Sequence, residues 1–529
     1  MIKISDLTTK LDVWDKKDVV VVGGGTAGVA AALAARRNGA DTLIIERESC
    51  LGGMMTNGFV IWLNNMRGET PGNPLLTRGI GLEIFRRLAE VGGTQPPDEK
   101  GEPIGTAMTH QMDPVILAQL LEEMMEEGNV EVLYNTIAFD AVVEDNAVKG
   151  VAFANKAGAH VVLADVVVDC SGDADIAVAA GAPYVFGRKK DGRTYGGGLW
   201  AMLGGIDPFK LIEFLKTPPS EEELASLEKE RTRLFGYGAH FNWETTGHHP
   251  ERPIKRTWEE VEKRIKEGTF GVVEPTWLPD TRKILIEWMK YVKEGRVPPW
   301  YGSPKLIYPF PWFSLGLWRH GKMRYDQALG GLFECWFNQA DPVETSKAIF
   351  WMRKMNKIFI DFLRERIPGF ENAYIIIEAP TLPTRESRRI IGEYILTEQD
   401  AIEAKRFPDV IGKSGSGFII KRPFDIPYRV LLPKNIDNII VAGRCVSVDD
   451  AILGHGFRFV FRCEGVCLVL GEAAGTAAAL SSRLGVSPKK LDVKLLQKTL
   501  LEQGALLFLE DEKEREEEVR SYTPLYQIP

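Results

Sequence analysis

The sequence lacks any CxxC pair, any uninterrupted run of about 18 apolar residues, any basic stripe and any second copy of its one glycine-rich loop. The six cysteines, Cys50, Cys170, Cys335, Cys445, Cys463 and Cys467, show neither redox-pair nor iron–sulfur nor zinc spacing. Cys463 and Cys467, one helical turn apart, read as packed thiols. The most apolar stretch, CLVLGEAAGTAAAL, is broken by Glu472 and by glycines, and MIKISDLTTKLDVWDKKD lacks the apolar core of a secretory signal. A cytoplasmic chain with no membrane partner is expected. With 65 basic and 73 acidic residues the net charge is -8, spread along the chain, and no nucleic-acid partner is expected. The pair His248-His249 lacks metalloprotease spacing, so the expectation is that the chain holds no metal.

What is present begins with VVVVGGGTAGVAAALAARRNG, Val19 to Gly39. Val19–Val22 reads as a strand buried on both faces and Ala27–Arg37 as an alanine-rich helix, with Gly23, Gly25 and Gly28 between them. A dinucleotide loop needs this arrangement: a strand to aim it, glycines that let backbone approach a pyrophosphate, and a helix N-terminus facing the negative charge. A second apolar strand ends at Glu46, where a carboxylate can accept from a ribose diol. Spacing predicts a helix over Asp113–Glu127, strands around Val151–Phe153 and Val161–Val168, a strand Ile439–Ala442 and a long helix from about Cys463 to Leu484.

Between about 187 and 372 the composition changes to tryptophan, proline and charged helical stretches; every tryptophan except Trp14 and Trp62 falls from Trp200 to Trp351. This predicts an inserted mixed α/β cap at 187–372, splitting a nucleotide-binding unit into 1–186 and 373–505, with a solvated charged tail at 506–529. The run YPFPWFSLGLW, Tyr308 to Trp318, reads as cap core or subunit interface, and a homo-oligomer is an open expectation.

Four ordered segments resemble the FAD-dependent oxidoreductases of the glutathione-reductase-like superfamily: the first loop, RESCLGGMMTNG after Glu46, VVVDCSGDADIAVAAGAPY, and DNIIVAGRCVSVDDAILGHGFRF followed by GEAAGTAAAL. With PTRESRRIIGEYILTEQDAI and DIPYRVLLPKNIDNIIVAGRCVS, the chain looks more particularly like a bacterial and archaeal family of such enzymes related to fumarate-reductase flavoproteins and the heterodisulfide reductase flavin subunit. The resemblance implies an α/β fold, a Rossmann-like FAD-binding domain with an inserted mixed α/β cap, and FAD as cofactor. It implies FAD contacts at Gly23, Gly25, Thr26, Ala27, Gly28, Glu46, Arg47, Gly52, Gly53, Met54, Gly172, Asp173, Gly443, Arg444, Gly471, Gly475 and Thr476. The closing helix should point its N-terminus at the flavin ring, where negative charge collects on reduction. Relatives tend to carry a histidine earlier in the loop after Gly443-Arg444; here it stands at His455.

A single dinucleotide loop and no redox cysteine pair argue against a pyridine-nucleotide–disulfide reductase, so the flavin should meet its substrate directly. The expectation is hydride transfer between flavin N5 and a small or medium organic substrate held between FAD domain and cap. Arg385 and Arg458 offer bidentate anchors for an oxyanion, His455 is the favoured proton-transfer group and Tyr394 a reserve. Arg388 is either a weaker anchor or a structural tie. Cys50, with no resolving partner, should pack against the cofactor. Two alternatives remain: a redox-neutral isomerase, lyase or hydratase with structural or internally cycling FAD, and a subunit that only relays electrons.

Overall fold

A computed structural model of the chain describes residues 11–68, 70, 72–104, 112–190, 192, 194, 197–235, 257–267, 282–298, 316–318, 327–335, 337–415, 420–453 and 461–524. The opening unit runs β1 (Asp12–Val22), α1 (Thr26–Arg37), β2 (Thr42–Ile45), α2 (Gly79–Glu90), α3 (Pro114–Glu127), β3 (Glu131–Leu133), β4 (Ile137–Glu144), β5 (Ala147–Asn155), β6 (Gly158–Asp169), α4 (Asp175–Ala179) and β7 (Tyr184–Phe186). Val19–Val21 of β1 are fully buried because the strand lies inside a parallel sheet, pairing Val19 with Thr42 of β2 on one side and Val166 of β6 on the other. The sheet order is β3-β2-β1-β6-β5-β4, with β4 and β5 forming an antiparallel extension. α3 starts where sequence chemistry places it: Asp113 accepts from the Val115 and Ile116 N–H groups, and Pro114 occupies the first turn.

The inserted segment carries β8 (Gly197–Gly204), α5 (Pro208–Lys216), α6 (Glu221–Phe235), α7 (Trp258–Glu267), α8 (Arg282–Lys293), β9 (Gly316–Trp318), β10 (Gln327–Cys335), α9 (Pro342–Arg366) and β11 (Tyr374–Glu378). Its antiparallel sheet has the order β11-β8-β10-β9, so its edge strand comes from 374–378, past the limit of 372 read from composition. Register with β8, not residue type, sets that edge. The cap core gathers around fully buried Trp288, whose ring meets Phe359 at 5.2 Å and Phe362 at 5.1 Å. Of the aromatic run 308–318, only 316–318 fall within the described residues.

The chain then returns through β12 (Arg388–Ile390), α10 (Glu398–Ile402), β13 (Val410–Ser414), β14 (Phe424–Pro427), β15 (Ile439–Val441), α11 (Asp450–Leu453), α12 (Glu464–Leu484), α13 (Val493–Glu502) and α14 (Lys513–Arg520). β15 adds to the first sheet beside β6, pairing Ile440 with Val168, so both ends of the sequence build one Rossmann-like layer. α12 is long and apolar enough to cross a membrane, yet 89% of its apolar window is buried: it is the central helix of the core. α1 and α12 approach through glycine and alanine. A Cβ on Gly471 would sit 2.1 Å from the Ala27 carbonyl oxygen, and one on Gly475 1.9 Å from that of Ala31, contacts that also make the two helices parallel.

The tail departs from the sequence expectation. Its Glu512 is buried and accepts from Lys413 Nζ at 2.6 Å, and Lys413 and Asp425 have no exposed side-chain surface. One carboxylate is turned inward onto a buried lysine, which alternation of acidic and basic residues could not reveal, while Asp511, Lys513, Glu514, Glu517, Glu518 and Arg520 stay exposed.

Candidate functional site

The loop after β1 is shaped by collisions that glycine avoids. Gly23 has φ +94°, and a Cβ there would lie 2.6 Å from the Cys170 carbonyl oxygen; one on Gly28 would lie 1.7 Å from Gly23 O. These two glycines seat α1 against the ends of β1 and β6. Gly25 and Gly53 stand back to back: Gly53 has φ +54°, and its Cβ would come 2.9 Å from Gly25 Cα. The Gly52 N–H donates to Gly24 O at 2.8 Å, locking the two glycine loops side by side. Glu46 braces them from behind, Oε2 accepting from Gly24 N–H at 2.6 Å and Oε1 from Glu48 N–H at 2.8 Å. Burial pushes its carboxyl upward in pKa while those two donors pull it back. α1 has no side-chain cap and no acidic residue in its first turn, which leaves its positive end open to an anion.

The second wall comes from the loop after β6. Asp169, fully buried, accepts from the Ser171 N–H and hydroxyl with one oxygen and from the Ile176 and Ala177 N–H groups with the other, at 2.6 to 3.0 Å. It folds the Gly172-Asp173 turn back toward α1. Asp173 meets Arg444 at 3.0 Å, and Arg444 also donates to the Thr384 hydroxyl at 3.1 Å. Burial opposes the charge on Asp173, but Arg444, with the Ser387 side chain and Arg388, more than offsets this and holds its carboxyl below the usual range. Asp173 Oδ1 and Arg444 Nε, both buried, have no protein hydrogen-bond partner. Orphaned polar atoms beside an uncapped helix end and a glycine cradle fit a bound dinucleotide.

Exposure sorts the expected cofactor residues. Gly23, Gly25, Thr26, Gly53, Met54, Gly172, Asp173 and Arg444 are partly open. Ala27, Gly28, Gly52, Gly443, Gly471, Gly475 and Thr476 are buried in protein contacts. The expected contacts at Gly471, Gly475 and Thr476 are corrected: the first two face α1, and the Thr476 hydroxyl donates to Glu472 O at 2.8 Å. Arg47 is exposed and reaches Glu48 at 3.4 Å. Cys50 sits against Thr56 and Asn57, its thiol pushed up in pKa by burial.

Among the catalytic candidates, His455 and Arg458 lie outside the described residues. Tyr394 is corrected from proton-transfer reserve to structural residue, since its hydroxyl donates to Asp400 at 2.8 Å and accepts from Lys405 at 3.0 Å. Arg385 is half-buried next to Thr384, on the segment leading from the cap into β12. Arg388 pairs with Asp175, and Arg389 with Glu386 at 2.8 Å, so these two are ties. Sequence reasoning missed Asp169, though an aspartate ending a strand before Ser-Gly-Asp was a readable signal. It also missed Asn64, Asn65 and Glu464, whose meeting depends on tertiary contact.

The chain just past the cradle joins the cap. Phe59, Ile61 and Trp62, just past the second glycine loop, belong to the cap core, with the Trp62 and Trp200 rings 4.8 Å apart. The Thr381 N–H donates to Asn57 O at 3.2 Å, a further seam between the two parts.

A family model described as FAD dependent oxidoreductase matches residues 18–500. A thiamine thiazole synthase from Aeropyrum pernix is 32% identical over 136 residues, 26% of this chain and 43% of that protein, so the match spans less than half of the relative's length. Among solved structures, a geranylgeranyl bacteriochlorophyll reductase-like protein from Thermoplasma acidophilum is similar at 12% identity and a TM-score of 0.38, over 95% of this chain and 99% of that one. A flavin-dependent brominase is similar at 13% identity and a TM-score of 0.39, over 95% and 93%.

Proposed function

Because the chain belongs to the FAD-dependent oxidoreductase family, we propose that it transfers a hydride between FAD and a small or medium organic substrate held between the FAD-binding layer and the cap. When bound, FAD supplies a ring that accepts or donates a hydride at N5. The observation that supports the reading is the seam where the cap core begins soon after the Gly52-Gly53 cradle, so that a ligand on the cradle would border both parts along one groove. Gly25, Thr26 and Gly53 would approach the pyrophosphate by backbone, with the open end of α1 facing its charge. Asp173 and Arg444 would border the same groove and satisfy their orphaned atoms there.

Arg385, beside the Thr384 that Arg444 engages, is the residue proposed to orient the substrate through a carboxylate or similar oxyanion. Trp62 and Trp200 exclude water from that side of the seam. The test is anaerobic mixing of the yellow holoprotein with candidate metabolites. Bleaching by a true substrate supports the reading; product formation with the colour unchanged overturns it in favour of a redox-neutral reaction. Arg385→Lys should lower kcat/KM at least about tenfold, a loss of ~1.4 kcal/mol of transition-state stabilisation. An unchanged kcat/KM removes Arg385 from the site.

A further inference from the structure

α1 and α12 run parallel with Gly471 against Ala27, and α12 begins seven residues earlier, at Glu464. At 1.5 Å per residue its first turn projects roughly 10 Å beyond the start of α1. In an FAD molecule the ribityl chain separates the pyrophosphate from the redox ring by a distance of that order. If the α1 terminus takes the pyrophosphate, Glu464 stands at the ring's end of the groove.

The surroundings of Glu464 are polar and incompletely paired. Its Oε2 accepts from the Asn64 N–H at 3.3 Å, and the Gly465 N–H donates to Asn64 O at 2.9 Å. A Cβ on Gly465 would lie 2.5 Å from Asn65 O, so the 64–65 turn lies directly on the helix start. Asn65 is 4% exposed, and the side-chain oxygens of both Asn64 and Asn65 are buried acceptors without a donor. A protonated carboxyl is a donor; a carboxylate is not. Among the described residues, the charge acting on Glu464 is Arg462, two residues before α12, and the Cys467 thiol, on α12 itself, feels Glu464 in turn; Asn64 and Asn65 are neutral. Burial pushes the Glu464 carboxyl up to about 7, against the pull of backbone donors and Arg462.

We propose that Glu464 is a proton-exchanging residue of the redox site, facing the flavin end of the groove and backed by the Asn64-Asn65 turn. This rests on the FAD reading above. Hydride loss from the substrate would leave one net negative charge on bound FAD, the substrate's remaining acidic proton passing to solvent, and that charge would raise the proton affinity of the neighbouring carboxylate. The ionised fraction of Glu464 then takes up a proton from solvent, and releases it when the electrons depart.

The experiment uses FAD-loaded protein, reduced by dithionite near pH 7, with protons counted by an indicator dye and carboxyl groups followed by redox-difference infrared. Per flavin, the parent should take up as much as about half a proton more than Glu464→Gln, because a carboxyl titrating about 7 is already half protonated at that pH, and its carboxyl band should vanish in that variant. Equal uptake and an equal band in both overturn the proposal. Should Glu464→Gln fail to hold FAD, Glu464→Asp should keep a shifted carboxyl band. A parent with no carboxyl band on reduction overturns the proposal whatever the variants do. Those outcomes leave the proposed function standing, whereas a parent that takes up no FAD overturns both.

Discussion

Gly25 and Gly53 owe their place to the hydrogen atoms they carry instead of side chains. At Gly53, φ +54° and a Cβ position 2.9 Å from Gly25 Cα mean that alanine strains the backbone and pushes the two loops apart. Gly53→Ala should weaken FAD binding at least about tenfold, ~1.4 kcal/mol, read from flavin released on equilibrium dialysis. Asp169 makes a different contribution, since its two oxygens satisfy three backbone N–H groups and a hydroxyl. Asp169→Asn puts an amide donor against backbone donors and should cost about 3 kcal/mol in urea unfolding, with loss of flavin retention. The glycines were legible because their spacing after an apolar strand is a backbone requirement. Which of them touch the groove was not, because burial depends on what the rest of the chain packs behind them.

Among the elements, α12 does the most. Its glycine face lets α1 approach, so Gly475→Leu should destabilise the apoprotein itself by about 1–3 kcal/mol in denaturant, an effect that a residue serving only the cofactor would not produce. The same helix carries Glu472, which accepts from the Ile80 N–H and so caps α2. Burial pushes its carboxyl up to about 8 from the ordinary 4.5. The native state therefore binds this proton more tightly than the unfolded chain, and stability falls as pH rises from about 4.5 to about 8. In Glu472→Gln that part of the slope should disappear from unfolding curves measured across the window. From sequence, Glu472 is only an interruption in an apolar run; its cap duty depends on α2 starting against the helix from far along the chain. Helix starts fare better: Asp207-Pro208 and Asp341-Pro342 repeat the Asp113-Pro114 device, each aspartate accepting from the first turn, and such caps are local enough to read.

For the whole molecule, the arrangement is one layer built from both ends of the chain, with the cap seated on the loop past the second cradle glycine. The C-terminal segment completes it, since Glu512 also meets Arg406 at 2.9 Å and Arg515 at 2.5 Å. Glu512→Ala leaves Lys413 buried with Asp425 alone, and should lower unfolding free energy by about 3 kcal/mol by urea titration. A solvated tail would show no such change.

The sequence by itself determined the strand–glycine–helix start, the α/β class and the presence of an inserted cap, because each rests on periodicity, backbone permissiveness or composition within a short stretch; FAD as cofactor came from the resemblance of four ordered segments to a family. Only the tertiary structure decided that Gly471 and Gly475 serve helix contact, that Tyr394 is committed to Asp400, that the tail turns Glu512 inward and that Glu464 meets Asn64. Those outcomes depend on residues hundreds of positions apart arriving at the same place, where exclusion of water sets what each polar group must pair with.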